Sequence, residues 1–352
     1  MKKKGRKNSI LIWLITGSLI VVTGLLLFSF IMYSKKISTD ETPVYYDRYY
    51  AMITDDSQSA FWQSIYQSAH EAALEKNAFV EMISENLSQD YSEEELMEIA
   101  IYSGVDGIIM AADESDEVSA LINKAADANI PVVTLYSDNT HSERLSFVGI
   151  GNYNLGREYG NLIISLLYEK MFTKQDVKAV LLVDANAKDS GQSVLYAAIQ
   201  ESLSREKDER PSSFPNIDLT MFSVDSTNSF SVEESVRSLF MGPQDNLPDI
   251  VICLNEIYTT SIYQAVVDYN AVGKVNILGY YDSDAILTGI ERNVIYSTIS
   301  VDTKQMGTFC VDALTEYLDS GNTSQYFTAD IQVIQKNNVD EYRNRRDNAQ
   351  ED

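Results

Sequence analysis

The sequence holds few of the residues that build metal sites and redox centres. Only two cysteines and two histidines occur among 352 residues, and His70 stands far from His141 along the chain. Structural zinc sites need several such ligands at short spacing, and reactive thiols commonly form Cys-x-x-Cys pairs. Because neither pattern is present, we expect no metal site and no cofactor. Cys253 lies in an apolar run and Cys310 in a helical pattern, so we expect both to be buried, and the sequence leaves their pairing open.

Catalytic motifs are absent as well. The chain has no Gly-x-Ser-x-Gly elbow and no phosphate-binding glycine loop, and Gly149-Ile150-Gly151 only begins a dinucleotide fingerprint that the next residues break. Carboxylates are abundant, but no pair is singled out by its spacing as an acid and base. We therefore predict that the protein is not an enzyme.

Basic residues are scarce beyond the N-terminus. Residues 1–36 contain seven Lys or Arg and no acid, which leaves 20 basic and 52 acidic residues in the remainder and a formal charge of 20 − 52 = −32. Such a surface repels phosphate backbones and anionic lipid head groups. The charge therefore argues against nucleic acid as a partner.

Only one long apolar run occurs in the chain. Ile10–Tyr33 is a stretch of 24 residues without charge or proline, after a basic segment at 1–9 and before a linker at 34–47. About 20 apolar residues span a bilayer as a helix, whereas a cleavable signal, the alternative, has an apolar core of about 7 to 15 residues and a small-residue cleavage site. The basic residues before the run keep the N-terminus in the cytoplasm. We therefore predict a single-pass transmembrane helix at 10–33 in the cell membrane, with the C-terminal bulk extracellular.

Beyond the linker, short apolar runs alternate with helical patterns. Val105–Met110 is predicted to be a buried strand, Ser115–Asn129 a helix and Pro131–Leu135 the next strand. This alternation is typical of parallel βαβ units with helices on both faces of a sheet. We predict an α/β fold as far as Asp340. The tail at 341–352, rich in Asn, Arg and acids, is predicted to be disordered.

A series of short motifs runs through this part of the chain. They are, in order, Gln58-Ser59-Ala60-Phe61-Trp62, Gly104-Val105-Asp106-Gly107-Ile108-Ile109, Ala128-Asn129-Ile130-Pro131-Val132-Val133-Thr134, Phe147-Val148-Gly149 with Asn152 and Gly156, Leu254-Asn255-Glu256, Ile277-Leu278-Gly279-Tyr280-Tyr281-Asp282, Ser297-Thr298-Ile299 and Met306-Gly307. Their order and spacing resemble the type 1 periplasmic sugar-binding proteins, such as the ribose and galactose binders, and the ligand-binding half of lactose-repressor-like regulators. We do not expect the chain to be a repressor, because an apolar run stands where a helix-turn-helix headpiece would be.

The resemblance covers about residues 48–336 and implies two doubly wound parallel-sheet lobes joined by a hinge of three chain crossings. The ligand would lie between the lobes at the carboxyl ends of the strands, and binding would close the lobes. We place the crossings near 149–151, 301–303 and 329–331, so that lobe I comprises 48–150 plus 302–330 and lobe II comprises 151–301 plus 331–340.

The resemblance also implies which residues line the ligand cleft. A sugar presents apolar C–H faces and hydroxyl groups that each need a partner once dehydrated, so aromatic and short polar side chains are expected. Phe61 and Trp62 match the family's stacking aromatics, and Asn255 matches its hydroxyl-binding Asn. The full set of expected ligand-binding residues is Ser59, Phe61, Trp62, Tyr136, Asp138, Asn152, Ser190, Gln192, Asn255, Tyr281 and Asp282.

The cleft departs from the family pattern at three places. Sugar binders carry an Asp directly after the strand where this chain has Tyr136, so Asp138 is the expected substitute. Either Tyr281 or Asp282 stands at the family's second acid, depending on a one-residue shift. The family's cleft Arg has no counterpart between Lys188 and Ser193. We therefore expect a polyhydroxylated ligand, and the resemblance does not carry over ribose or galactose as its identity.

Ordinary structural roles compete with some of these assignments. Phe61 and Trp62 could simply begin an amphipathic helix. Asn255 and Asp282 could each cap the helix that follows, and for Asn255 the two roles can coexist.

Two functional hypotheses follow. In the first, the chain is a membrane-anchored extracellular solute-binding protein that captures a carbohydrate and passes it to an ABC transporter or signals it to a sensor histidine kinase. The anchor favours signalling, because it keeps the protein near a partner in the same membrane at high effective concentration. The alternative is a ligand-free interaction scaffold on the same fold.

Overall fold

The structure is a computed structural model, and it describes residues 17, 22–29, 45–54, 57–87, 91–170, 174–187, 191–211, 214–241 and 247–351. The chain separates into two units, Met1–Tyr46 and Asp47–Asp352, and the second unit holds the fold described below. In the first unit, residues 22–29 are helical. Among the described residues no helix is long and apolar enough to cross a membrane, and most of the predicted span at 10–33 lies outside them.

The second unit alternates strands with helices, as the apolar runs predict. In chain order its elements are β1 (Arg48–Ile53), α1 (Ala60–Glu75), β2 (Ala78–Met82), a 3₁₀ turn (Ile83–Asn86), α2 (Glu93–Ser103), β3 (Gly107–Met110), α3 (Asp116–Asp127), β4 (Val132–Leu135), β5 (Ser146–Gly149), α4 (Asn152–Glu169), β6 (Asp176–Asp184), α5 (Gly191–Glu209), β7 (Asn216–Val224), α6 (Ser229–Ser238), β8 (Ile250–Ile252), α7 (Glu256–Asp268), β9 (Asn276–Tyr280), α8 (Asp284–Glu291), β10 (Ile295–Val301), α9 (Thr303–Ser320), β11 (Tyr326–Thr328), β12 (Ile331–Gln335) and α10 (Val339–Glu351).

The strands form two six-stranded sheets with matching orders. The first sheet runs β2-β1-β3-β4-β5-β11 and the second β7-β6-β8-β9-β10-β12. Neighbouring strands pair in parallel, except β10 and β12, which are antiparallel. We call the first sheet with its helices lobe I and the second lobe II. The predicted α/β fold with two parallel-sheet lobes is confirmed.

The chain passes between the two sheets three times, after β5, after β10 and between β11 and β12. These segments are hydrogen-bonded to one another. The main-chain N–H of Asp302 donates to the oxygen of Asp330 at 2.9 Å, and that of Ala329 donates to the oxygen of Gly149 at 3.0 Å. The side chain of Gln305 accepts from the N–H of Asp330 at 3.0 Å and donates to its carboxylate at 2.9 Å. The crossings therefore form one compact hinge.

Helix α1 begins beside the cleft and fixes the first aromatic residues there. Its N-cap is Ser59, whose hydroxyl accepts a hydrogen bond from the N–H of Trp62 at 3.2 Å. Phe61, Ile65 and Ala69 recur at helical spacing and are buried. The apolar face of α1 thus starts at the cleft and continues into the core of lobe I.

Two glycines of the motif series allow close helix packing, one in each lobe. Helix α9 lies against α1, and a Cβ at Gly307 would lie 2.5 Å from the main-chain oxygen of Ile65. Helix α4 lies against α5 in the same way, and a Cβ at Gly156 would collide with the oxygen of Leu195. Both positions therefore need a residue without a side chain.

The C-terminal tail differs from the prediction. Disorder was expected for 341–352, but residues Val339–Glu351 form helix α10, so that prediction is wrong for the described residues. Residues of this segment make contacts with the rest of lobe II. Arg343 pairs with Glu291 at 2.9 Å, and the hydroxyl of Tyr342 contacts that of Ser300 at 2.9 Å. Helix α10 is held by polar contacts with lobe II and by the buried side chain of Val339 at its first position.

Both cysteines are buried and free, so they do not form a disulfide. Burial raises the pKa of each thiol well above its ordinary range. The expectation of two small buried apolar residues is confirmed.

Candidate functional site

Five aromatic rings meet where the two lobes face each other. This aromatic cluster consists of Phe61, Trp62 and Tyr136 of lobe I and Tyr280 and Tyr281 of lobe II. The ring centroid of Phe61 lies 5.3 Å from that of Tyr136 and 5.4 Å from that of Tyr281, in both cases edge to face. Such pairs contribute about 0.5–1.5 kcal/mol each beyond their burial. The cluster therefore links the lobes through Phe61.

Polar contacts reinforce this link. The hydroxyl of Tyr136 donates a hydrogen bond to the main-chain oxygen of Leu254, across the cleft, at 3.1 Å. Within lobe II, the buried hydroxyl of Tyr159 lies 2.7 Å from the oxygen of Cys253 and 3.1 Å from that of Gly279. Burial raises the pKa of Tyr159 far above its ordinary value, so this hydroxyl remains a neutral donor. It fixes the strand ends on which the cleft is built.

A cavity of about 710 Å³ lies between the lobes on one side of the aromatic cluster, and we call it the acidic cavity. Its walls are formed by segments that follow the strands of both sheets, where open α/β sheets generally bind ligands. The described carboxylates that line it are Glu93, Asp113, Glu114, Asp138 and Asp184, and its aromatic residues include Trp62, Tyr136, Tyr258 and Tyr280.

Six predicted ligand-binding residues line the acidic cavity, namely Trp62, Tyr136, Asp138, Asn152, Gln192 and Asn255. Two of their amides are oriented by local hydrogen bonds. The side-chain oxygen of Asn255 accepts from the N–H of Tyr258 at 2.8 Å, which confirms its role as the N-cap of α7. The side-chain oxygen of Gln192 accepts from the N–H of Asp184 at 2.8 Å. An amide whose oxygen is used this way still carries two N–H donors for a ligand.

Asp138 lines the cavity as part of a salt bridge within lobe I. Both of its oxygens are bound by Arg144, one of them by Nη2 at 2.8 Å, and the hydroxyl of Thr134 donates to it at 2.7 Å. The Arg144 side chain is only 8% exposed, and its guanidinium lies 4.9 Å from the ring centroid of Tyr326. The expected substitute for the family's acid is therefore charge-compensated by the protein itself.

Two other predicted residues, Ser59 and Phe61, fall elsewhere. Ser59 uses its hydroxyl to cap α1, and Phe61 is enclosed in the aromatic cluster with 8% of its surface exposed. Neither lines the acidic cavity. Ser190 lies outside the described residues.

Tyr281 and Asp282 lie on the opposite side of the aromatic cluster. They line a second cavity of about 1390 Å³, which is bounded by α1 of lobe I and by α8 and α10 of lobe II, and which we call the C-terminal cavity. Asp282 accepts a hydrogen bond from the hydroxyl of Tyr342, and Arg346 donates to the main-chain oxygen of Asp282 at 2.7 Å. The alternative that Asp282 caps a helix is wrong, because α8 begins at Asp284 with Ser283 as its N-cap.

Burial controls the protonation of this second group of residues. It raises the pKa of Asp282 above its ordinary value, although the hydroxyl of Tyr342 and the charge of Arg346 act in the opposite direction. Burial also raises the pKa of Tyr281 and of Tyr342 well beyond the physiological range, so both phenols are neutral. Asp284, by contrast, is exposed, and its ion pair with Arg346 lowers its pKa.

The sequence matches the family described as periplasmic binding protein domain over residues 50–323. This chain belongs to the periplasmic binding protein family. The resemblance to type 1 sugar-binding proteins is thereby confirmed, and the family is one of solute-binding proteins rather than enzymes. No curated protein matches the sequence.

Solved structures share the fold of this periplasmic binding protein. The XylFII–LytSN complex aligns with a TM-score of 0.66 at 22% identity, covering 82% of this chain and 98% of that chain. GanP, a glucose-galactose binding protein from Geobacillus stearothermophilus, aligns with a TM-score of 0.70 at 18% identity, covering 82% and 98%. A sugar-binding protein of a sugar ABC transporter from Bacillus halodurans gives a TM-score of 0.64 at 22% identity, covering 84% and 100%. At these identities the likeness shows the fold alone.

Several residues that line the cavities were not predicted from the sequence. Asp184 ends β6 and Asp113 follows β3, so the position of carboxylates after parallel strands was a usable signal. Tyr258 carried no such signal, because a Tyr in the first turn of an apolar helix resembles an ordinary core residue. Tyr342 and Arg346 could not be predicted as cavity residues, because the composition of their segment indicates disorder.

Proposed function

We propose that this protein is a membrane-anchored extracellular solute-binding protein that captures a sugar-like molecule between its lobes. It passes the ligand to a transporter or reports it to a membrane sensor kinase. The observation that carries the proposal is the acidic cavity, where Trp62 of lobe I and Asn255 of lobe II line the same space beside a three-segment hinge. An aromatic face and oriented amides are the groups that a sugar ring requires.

Two proteins of the same fold support the choice of ligand and partner. GanP is a glucose-galactose binding protein, and XylFII forms a complex with LytSN. We propose by analogy that this chain binds a carbohydrate and that a membrane sensor kinase is one candidate partner; an ABC transporter is the other.

The anchor is part of the same proposal. The uncharged run Ile10–Tyr33 has the length of a membrane span, and its described helical portion exposes apolar side chains, among them Leu25 and Phe28. With the basic segment on the cytoplasmic side, the lobes would lie outside the cell. A tethered receptor remains close to a membrane partner, which favours reporting over long-range delivery.

The aromatic cluster supports a second candidate function, an interaction scaffold that does not bind a ligand. Phe61 already contacts Tyr136 of lobe I and Tyr281 of lobe II, so part of the cleft is filled by the protein's own rings. A scaffold of this kind would keep its lobes together without a ligand and present one surface to its partner.

A thermal-shift screen distinguishes the two candidates. The full chain in detergent micelles is screened against mono- and oligosaccharides, polyols, nucleosides and furanosides, and a hit is quantified by calorimetric titration. Capture in the acidic cavity predicts at least one saturable hit, whose affinity falls at least tenfold in Trp62→Ala. Phe230→Ala is the control, because Phe230 is 70% exposed and lies outside both cavities. No shift with any compound would favour the scaffold.

A further inference from the structure

The acidic cavity has an uneven charge. Among the described residues that line it there are five carboxylates and no lysine or arginine. The Asp138 carboxylate is compensated by Arg144, which approaches it from within lobe I. A carboxylate that is taken out of water when the lobes close needs either a cation or several hydrogen-bond donors. The other four carboxylates are therefore the ones whose negative charge a ligand could compensate.

Asp184 is a carboxylate of lobe II whose hydrogen-bond donors are uncharged. It ends β6 and is half-buried, and it accepts hydrogen bonds from the N–H of Asn186 at 2.8 Å and from the hydroxyl of Ser226. Both donors are uncharged, so they orient the carboxylate without neutralising it. Asp184 therefore presents a negative charge to the cavity from the wall of lobe II.

Tyr258 supplies a second polar group that a ligand could bind. Its side chain is 1% exposed and lines the acidic cavity, and its hydroxyl makes no well-formed hydrogen bond within the described part of the chain, although Ser226 and Asn255 lie near it. Burial and the nearby charge of Asp184 raise its pKa, so the hydroxyl is neutral and can accept as well as donate. Leaving such a group without a well-formed hydrogen bond is unfavourable, and a ligand atom would provide one.

Aromatic faces complete the recognition of a cation. Trp62, Tyr136 and Tyr280 line the same cavity, and an ammonium group over such rings gains cation–π attraction. The strongly negative charge of the extracellular part would also concentrate small cations near the cleft. A neutral sugar could hydrogen-bond both Tyr258 and Asp184, but only a cation would also compensate the charge of Asp184 on closure.

We infer that the ligand of the acidic cavity is a hydroxylated amine, such as an amino sugar, whose protonated nitrogen binds Asp184 and Tyr258. The inference rests on the proposed function, since it assumes capture of a small molecule between the lobes. It goes further by naming the charge of that molecule.

Calorimetric titration of the full chain in detergent micelles tests this inference with matched probes. Glucosamine is compared with glucose and N-acetylglucosamine, and galactosamine with galactose and N-acetylgalactosamine. We expect at least one amine to bind at least tenfold more tightly than its neutral and acetylated counterparts, with the preference reduced at high salt. Equal affinity for amine and neutral sugar would overturn the inference while the proposed function stands. Failure of all six probes would count against both.

Variants locate the effect. Asp184→Asn is expected to abolish the preference for the amine, and Tyr258→Phe to weaken amine binding several-fold while the fold is retained. Asp225→Asn is the matched control, since Asp225 follows the neighbouring strand β7, accepts from the N–H of Thr227 at 3.0 Å and lies outside the cavity. An unchanged preference in Asp184→Asn would overturn the assignment.

Lys188 allows a test of whether the ligand is instead anionic. It is a basic residue close to Asp184 in sequence and lies outside the described residues. A cationic ligand predicts that Lys188→Gln leaves affinity for the amine unchanged or raises it. A tenfold loss of affinity in this variant would indicate an anionic ligand and contradict the inference.

Discussion

Tyr136 and Tyr281 occupy equivalent positions in the two lobes. Each directly follows a strand, β4 or β9, and each has a positive φ, +69° and +73°. The N–H of Tyr136 donates to Val148 of the next strand at 2.9 Å, and that of Tyr281 donates to Ile299 of its next strand at 2.8 Å. A left-handed conformation costs a residue other than glycine about 1–2 kcal/mol. The strained backbone therefore turns both rings toward Phe61.

The hydrogen bond from Tyr136 to Leu254 predicts how firmly the lobes are held together. We expect Tyr136→Phe to lower the free energy of unfolding by about 0.5–1.5 kcal/mol and to open the cleft more often. Hydrogen exchange at Leu254 and its neighbours measures the opening. Tyr196→Phe is the control, because Tyr196 donates to the oxygen of Leu219 at 2.8 Å within lobe II. Equal exchange at the cleft in both variants would contradict the role of Tyr136.

Asn255 combines a capping role with a proposed ligand contact, and two substitutions separate them. Asn255→Ala removes the cap of α7 and is expected to lower the free energy of unfolding by about 1 kcal/mol. Asn255→Ser keeps a good capping oxygen but loses the amide N–H donors without adding charge to the cavity, so it should retain stability and still weaken ligand binding. Chemical denaturation with calorimetry measures both effects. Unaltered ligand affinity in Asn255→Ser would restrict Asn255 to the cap.

The raised pKa of Asp282 predicts a stability difference that depends on pH. The folded state binds the proton more tightly than the unfolded state, so the wild type loses stability as pH rises from the ordinary pKa of 3.8 through the folded pKa. Asp282→Asn removes this loss. The difference in unfolding free energy, variant minus wild type, should therefore increase between pH 4 and pH 7, by about 1.4 kcal/mol for each pH unit that separates the two pKa values. Denaturation at both pH values checks this, and a constant difference would contradict the burial of a titrating Asp282.

Gly307 allows α9 to pack closely against α1, so a larger residue at this position is expected to lower the stability of lobe I. A Cβ at this position would meet main-chain atoms of Ile65 and Ala69 at 2.5 and 2.6 Å, so Gly307→Ala should destabilise lobe I by about 1–3 kcal/mol. Gly151→Ala is the control, since its nearest contact is at 3.6 Å. Thermal unfolding of both variants measures the effect, and equal melting temperatures would show that the helices can move apart freely.

The order of strands and helices could be predicted from sequence because apolar runs and helical spacing reflect burial directly. The positions of Phe61, Trp62 and Asn255 beside the cleft also followed, because each stands at the start of a helix after a strand. Local patterns carry this kind of information well.

The division of the cleft into two cavities could not be predicted. It depends on contacts between Phe61 and Tyr281, which are distant in sequence and belong to different lobes. The composition of the tail wrongly indicated disorder for a related reason. Arg343 and Arg346 would be solvated in an isolated peptide, but acids of lobe II bind them in the folded chain. Residues that depend on long-range polar partners leave no periodic signal.

The fluorescence of Trp62 gives the most direct measurement of ligand capture. The chain has two tryptophans, so Trp13→Phe leaves Trp62 as the single reporter, placed in the wall of the acidic cavity. The full chain is titrated with the amine and neutral sugars in detergent micelles. Capture between the lobes predicts a saturable change in Trp62 emission that is weakened in Asn255→Ser. Emission that stays constant with every compound, from a chain that unfolds cooperatively, would contradict capture in this cleft.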